Sequence, residues 1–202
     1  MGGRVIAILG GTFNPIHNGH LRLAKAAAAT LRADRVLLIP DSTPPHKSGA
    51  ALAPAADRLA MCELAAAGDP LLQVSDMEIR RGGRSYTIDT LTELHQANPR
   101  DELWFACGTD MFVTLPRWYR YREILPLAGF CVYRRAGDAA ADVDAIADAV
   151  ARSGGRVKFC DALTIDVSST EIRGRIKEGR DISGLVPDSV REYIAVHELY
   201  GE

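Results

Sequence analysis

Apolar and polar positions follow two rhythms along this chain. Val5–Leu9 and Val36–Ile39 are unbroken apolar runs, as strands buried on both faces require. Leu71–Val74, Leu103–Cys107, Phe130–Tyr133 and Val157–Cys160 repeat the signal in shorter form. Between them lie stretches with helical spacing. Leu21–Leu31 is alanine-rich, Ala55–Ala67 carries Leu59 and Leu64, and Thr87–Gln96 places Ile88, Leu91 and Leu94 on one side. Val143, Ile146, Ala147 and Val150 follow i, i+3, i+4, i+7, and a last helix begins at Pro187 and repeats through Val190, Tyr193, Ile194 and His197. Strand and helix in alternation predict an α/β fold. It is a Rossmann-like, doubly wound, mostly parallel sheet with helices on both faces. With no linker-like break in composition, residues 1–202 read as one domain. The low-complexity stretch Ala136–Ala151 carries Asp138, Asp142, Asp144 and Asp148, read as the solvated face of an amphipathic helix.

Composition narrows the function classes. The chain has 202 residues, a formal net charge of −2 and 47% hydrophobic residues, enough for a real core without metal or disulfide staples. That balance sets aside a nucleic-acid polymer as partner. No apolar run approaches a membrane span or a signal-peptide core, so the expectation is a cytoplasmic protein with no membrane partner. Cys62, Cys107, Cys131 and Cys160 form no C-x-x-C pair and read as small buried hydrophobes. Only four of the 24 basic residues are lysines, so a single arginine says little here and a lysine slightly more.

In open α/β sheets ligands gather beyond the carboxyl ends of the strands. The residues to inspect are therefore Gly10–His20, Asp41–Ser48, Gly108–Asp110, Arg134–Arg135 and Asp161–Arg173. The first of these, GGTFNPIHNGH, runs from a buried strand into a helix. Its glycines let a ligand approach the backbone, and the helix start presents N–H donors and the positive end of the dipole. It is neither G-x-G-x-x-G nor a Walker A loop, since the chain contains no Gly-Lys pair. Instead His17 and His20 stand three apart in the first turn. Phosphate binding competes here with two other readings, a helix cap and a zinc pair. The zinc reading lacks a third ligand with a supporting carboxylate among His46, His95 and His197.

GGTFNPIHNGH resembles the H-x-G-H signature of the nucleotidyltransferase superfamily. PPHK (Pro44–Lys47), SYT (Ser85–Thr87), GTD (Gly108–Asp110), Trp118-Tyr119, VSSTEIR (Val167–Arg173) and VPDSVREYI (Val186–Ile194) follow in order. Together they resemble the bacterial nicotinate-nucleotide adenylyltransferase family, from about residue 5 to residue 200. Asn14 departs from the pattern, standing where the family often carries Asp. The resemblance implies transfer of an adenylyl group from ATP to nicotinate mononucleotide, giving deamido-NAD and pyrophosphate. Mg²⁺ is expected to arrive with the ATP, held by its phosphates rather than by a protein cage. An oligomer is compatible with the sequence.

The same resemblance assigns the site. His17, His20 and Arg173 would act on the ATP phosphates, with backbone approach from Gly10, Gly11, Thr12 and Phe13. Ser169 and Thr170 open a second helix toward the phosphates, and Ser168 with Glu171 has capping-box spacing. Lys47 would lie over the phosphates of both substrates, against the alternative of a solvated loop lysine. Gly108 and Asp110 would meet the ribose of ATP, Asp110 competing with a role as helix cap. Ser85, Tyr86, Thr87, Trp118 and Tyr119 would hold the mononucleotide. Trp118 would stack on its pyridinium, against the alternative of a core tryptophan, and Thr87 competes as a cap. Nicotinamide mononucleotide and phosphopantetheine remain alternative acceptors, although phosphopantetheine enzymes of this superfamily are shorter and lack the PPHK and SYT segments. A nucleotide sensor without turnover and a zinc hydrolase are the readings from other classes.

Overall fold

The computed structural model describes residues 2–43, 52–134, 140–160 and 167–201. In chain order the strands are β1 (Val5–Gly11), β2 (Arg35–Pro40), β3 (Leu72–Val74), β4 (Glu102–Gly108), β5 (Ala128–Tyr133) and β6 (Val157–Cys160). The helices are α1 (Asn18–Leu31), α2 (Ala55–Ala66), α3 (Met77–Arg81), α4 (Thr87–Ala97), α5 (Thr109–Phe112), α6 (Tyr121–Ile124), α7 (Ala140–Arg152), α8 (Ser169–Lys177) and α9 (Asp188–Val196). Leu115–Arg117 form a 3₁₀ turn between α5 and α6. Every strand pair is parallel, in the order β3-β2-β1-β4-β5-β6. The order reverses between β1 and β4, so the crevice beyond Gly10–Gly11 and Gly108 is the topological switch point.

The alternation within each strand splits the core in two. Ala7 and Leu9 of β1 turn to the face covered by α1, α2, α8 and α9, where Ala24, Ala27, Met61, Ile172, Val190 and Ile194 pack. Ile6 and Ile8 turn to the opposite face, with Met77, Ile88, Leu91, Phe112, Leu115, Ile124, Val143 and Val150. The alanine run of α1 lets that helix lie close on the sheet. Gly129 has a similar reason, since a Cβ there would come 2.6 Å from the ring of Trp104 on the neighbouring strand.

The doubly wound architecture is as the periodicity implies. Four short elements (α3, α5, the 3₁₀ turn and α6) leave no periodic signal, because three to five residues do not complete a periodic pattern. The four cysteines are buried, and burial pushes the Cys62 and Cys107 thiols up, so neither is a thiolate at neutral pH. Asp144 is not simply solvated: Arg134 pairs with it and stacks 3.9 Å over Phe159. No helix among the described residues is long and apolar enough to cross a membrane.

Candidate functional site

The loop leaving β1 is built from its own side chains. Phe13 takes a positive φ of 46° and buries its ring beneath His20, edge-on at 5.0 Å. Only the backbone of Phe13 can therefore serve a ligand. Thr12 donates its hydroxyl to Asp41 at 2.9 Å. His17 then caps α1. Its Nδ1 accepts the His20 N–H at 3.3 Å, while the His17 N–H donates to His20 Nδ1 at 3.2 Å. The two imidazoles stack with centroids 3.6 Å apart. This is a capping box made from two histidines, and it has a chemical consequence. A neutral imidazole whose Nδ1 accepts a hydrogen bond carries its proton on Nε2. Both rings are thus held as neutral Nε2–H donors, not as cations.

Capping and phosphate binding, set apart in the sequence as rival readings for His17 and His20, are compatible at different ring nitrogens. Another expectation needs correcting. The first turn of α1 does not keep all its backbone donors for a ligand, because Asn18 N–H bonds the Leu185 carbonyl at 2.9 Å and His20 N–H is used within the cap. The glycine between the histidines is explained by space. A Cβ at Gly19 would sit 3.0 Å from His17 Nδ1 and 3.1 Å from both His17 Cε1 and a Val167 methyl.

The start of α8 is stitched to the same loop. Ser169 donates to the Pro15 carbonyl at 2.9 Å, and Arg173 Nη1 donates to the Asn14 carbonyl at 2.8 Å. Arg173 Nη2 reaches the Thr170 hydroxyl at 3.3 Å. Ser168 caps the helix by accepting from Glu171 N–H at 3.1 Å. The expected reciprocal half of that capping box is not formed, since the Glu171 carboxylate turns instead to Arg175 at 2.7 Å. One turn away a charged partner outcompetes a neutral backbone N–H. Asn14 is buried, and its Oδ1 accepts from Ala53 N–H at 3.0 Å and from the Tyr200 hydroxyl at 2.8 Å. Both donors are neutral, so the amide satisfies them without introducing a charge into this corner.

A second group of side chains gathers beside it. Ser85 Oγ accepts from Ser42 N–H at 3.0 Å, and Ser85 N–H donates to the Thr43 carbonyl at 3.2 Å. The Tyr86 and Tyr119 rings lie 4.7 Å apart, tilted. Thr87 opens α4 without a side-chain cap bond, so the capping role weighed for it is not taken. Trp118 is half-buried. It donates Nε1–H to the Thr114 hydroxyl at 3.0 Å and packs edge-on against Phe105 at 5.5 Å and Phe130 at 6.3 Å. It is rooted in the core cluster without being swallowed by it. Under this group Glu78 is buried, bonded to the Thr90 hydroxyl at 2.5 Å and to Ser85. Desolvation raises its carboxyl, against the pull of Thr90, Ser85 and Arg81.

The two groups meet across β1 and β4. Gly10 lies over Phe105, 3.4 Å from where its Cβ would be, and the same ring meets Trp118. Gly108 ends β4 and precedes α5, and Asp110 folds back over it, its Oδ1 2.7 Å from a Cβ placed there. Asp110 makes no side-chain cap. Lys47 and the rest of PPHK lie outside the described residues, as do Arg135 and residues 161–166. Among the described residues, no group of three His, Cys, Asp or Glu stands close enough to cage a metal ion.

Sequence reasoning placed Asp41 in a segment to inspect without giving it a role, and missed Arg58. Arg58 is 1% exposed and donates to the carbonyls of Thr12 at 2.8 Å, Ala53 at 3.1 Å and Ser42 at 3.1 Å, and to Asp41 at 2.9 Å. The available signal was positional. Arg58 stands three and four residues before Met61 and Cys62, on the apolar stripe of its helix. Among so many arginines it did not stand out.

The cytidylyltransferase-like family model matches residues 8–175. A probable nicotinate-nucleotide adenylyltransferase of Synechococcus sp. (strain JA-2-3B'a(2-13)) is 44% identical over 98% of this chain and 97% of its own length. Another of that name, from Dehalococcoides mccartyi, is 41% identical over 96% and 95%. Among solved structures, the Plasmodium falciparum nicotinic acid mononucleotide adenylyltransferase complexed with NaAD superposes with a TM-score of 0.78 at 18% identity, covering 98% of this chain and 97% of that one. At that identity the likeness is one of fold.

Proposed function

The chain belongs to the nicotinate-nucleotide adenylyltransferase family, and from that premise we infer what its crevice does. It is an adenylyltransferase that joins ATP and nicotinate mononucleotide, giving deamido-NAD and pyrophosphate, in NAD biosynthesis. A phosphate oxygen of the mononucleotide attacks the α-phosphorus of ATP. The new P–O bond forms as the bond from the α-phosphorus to the bridging oxygen breaks, and pyrophosphate leaves. A phosphate monoester has its second pKa near ~6, so the nucleophile is already ionised at neutral pH and needs no general base. What the reaction needs is alignment of two anions and donors for the charge that develops.

The observation that carries this reading is the reciprocal His17–His20 cap, stitched through Ser169 and Arg173 to the start of a second helix. In our assignment His17 and His20 present Nε2–H to the ATP phosphates, and Arg173 adds charge. Gly10, Gly11, Thr12 and Phe13 contribute backbone, and Ser169 and Thr170 the second helix start. Gly108 and Asp110 take the ribose, and Lys47 is retained as a cation from the sequence. Ser85, Tyr86, Thr87, Trp118 and Tyr119 take the mononucleotide. Residues 1–202 act as one domain. The divalent cation that accompanies ATP is in our reading Mg²⁺, held by the phosphates themselves. The histidine pair offers two nitrogens already used in a cap, a poor donor set for a hard cation that prefers oxygen. When bound, the ion neutralises phosphate charge. We place the enzyme in the cytoplasm.

The test compares pyrophosphate release from Mg·ATP with nicotinate mononucleotide, its amide and phosphopantetheine. Fastest release with nicotinate mononucleotide is expected. Preference for either other acceptor transfers the site to that substrate, and no release with any of them removes the catalytic reading. A second measurement concerns Trp118. If its ring stacks on a cationic pyridinium, Trp118→Ala weakens the mononucleotide by about 0.5–2 kcal/mol while sparing ATP. Equal weakening of both substrates, seen in their two KM values, returns Trp118 to a packing role.

A further inference from the structure

Between the two loops runs a continuous polar network. Thr12, in the loop assigned to ATP, donates its hydroxyl to Asp41, and Asp41 pairs with Arg58. Arg58 also takes the backbone carbonyls of Thr12 and Ser42. Ser42 in turn gives its N–H to Ser85, which opens the SYT segment and is itself held by Glu78. The backbone of Ser42 is therefore gripped at both polar atoms, by Arg58 on one side and Ser85 on the other. Asp41 also ties the loops directly, its N–H bonding the Gly11 carbonyl at 3.0 Å, and Arg58 is the side chain on which the remaining ties meet. Its planar fork reaches three carbonyls and a carboxylate at once, which an ammonium on a flexible stem does not match.

We propose that Arg58 is a positioning residue that sets the separation of the two substrate loops, and with it the alignment of nucleophile and α-phosphorus. The inference rests on the adenylyltransferase reading. Arg58 is too buried to touch a substrate, and it acts through Thr12 and Ser42. A buried arginine that only supported the fold would affect melting and the folded fraction. One that sets a reacting distance affects kcat in molecules that are folded, because a displacement near ~1 Å of a reacting group costs up to about 100-fold.

The experiment measures pyrophosphate release by the full-length wild type first, which tests the adenylyltransferase reading by itself. Arg58→Lys then keeps the charge and removes the fork. In the folded fraction, kcat is expected to fall about 10- to 100-fold while both KM values move less than about threefold. A folded Arg58→Lys with wild-type kcat, or a loss carried by KM alone, overturns the proposal. If Arg58→Lys does not fold, Asp41→Asn decides. It leaves an acceptor but removes the counter-charge that orients the fork, and kcat is expected to fall at least about fivefold with KM again little changed. A kcat within about twofold of wild type in that variant overturns the proposal.

Discussion

Replacing His20 with alanine is expected to lower turnover about 10²- to 10³-fold, the cost of losing one oriented donor to a developing anion. Two effects act together. The Nε2–H disappears, and so does the Nδ1 acceptor for His17 N–H that holds the stacked pair in register. His20→Asn separates them, because a short amide can still accept the His17 N–H as a cap side chain does, but does not extend to the position of Nε2. If the Nε2–H is what matters, His20→Asn is as slow as His20→Ala although its melting temperature recovers. Turnover that follows the melting temperature, or that is unchanged in His20→Ala, returns the ring to a capping role. The measurement is single-turnover pyrophosphate release alongside thermal unfolding.

Arg173→Ala is expected to cost about 10²-fold in turnover. Among the described residues its guanidinium spends one N–H on the Asn14 carbonyl and one on Thr170, out of five. Donors remain for phosphate, in a fork suited to it. The loop tie predicts a further, smaller effect on stability, since the Asn14 carbonyl loses its partner. Arg173→Lys keeps charge but not the fork, and should recover only part of the turnover. An Arg173→Ala enzyme that loses stability but turns over normally assigns the residue to loop support alone.

These variants matter because the histidines are not cations as the structure holds them. Counted as cations, His17 and His20 would make the crevice locally positive in a chain whose net charge is −2. The cap changes their contribution from charge to oriented hydrogen bonding. Arg173, half-buried, is then the principal fixed positive charge in this corner among the described residues, since the buried Arg58 is neutralised by Asp41.

The positions of the strands and of the longer helices were legible in the sequence because they follow from local rules, whereas the order of the strands came from the structure. A both-face-buried strand must be apolar throughout, and a helix on a sheet must be apolar at helical spacing. Position along the chain also indicated where chemistry belongs, since the loops after β1 and β4 flank the reversal of strand order. The motifs at these ends identified the residue types from which a phosphate site is built. The tertiary structure decided how those residues serve. That His17 and His20 cap each other's turn, that Glu171 leaves its capping box for Arg175, and that Ser85 grips Ser42 are outcomes of competition among partners within reach. Arg58 is the clearest case. Its bonds to Thr12 and Ser42 span 46 and 16 positions, distances over which no local pattern operates. A sequence specifies which groups must be buried or satisfied, whereas only the folded chain fixes which distant partner satisfies each one, because hydrogen bonds are decided by geometry over about 3 Å.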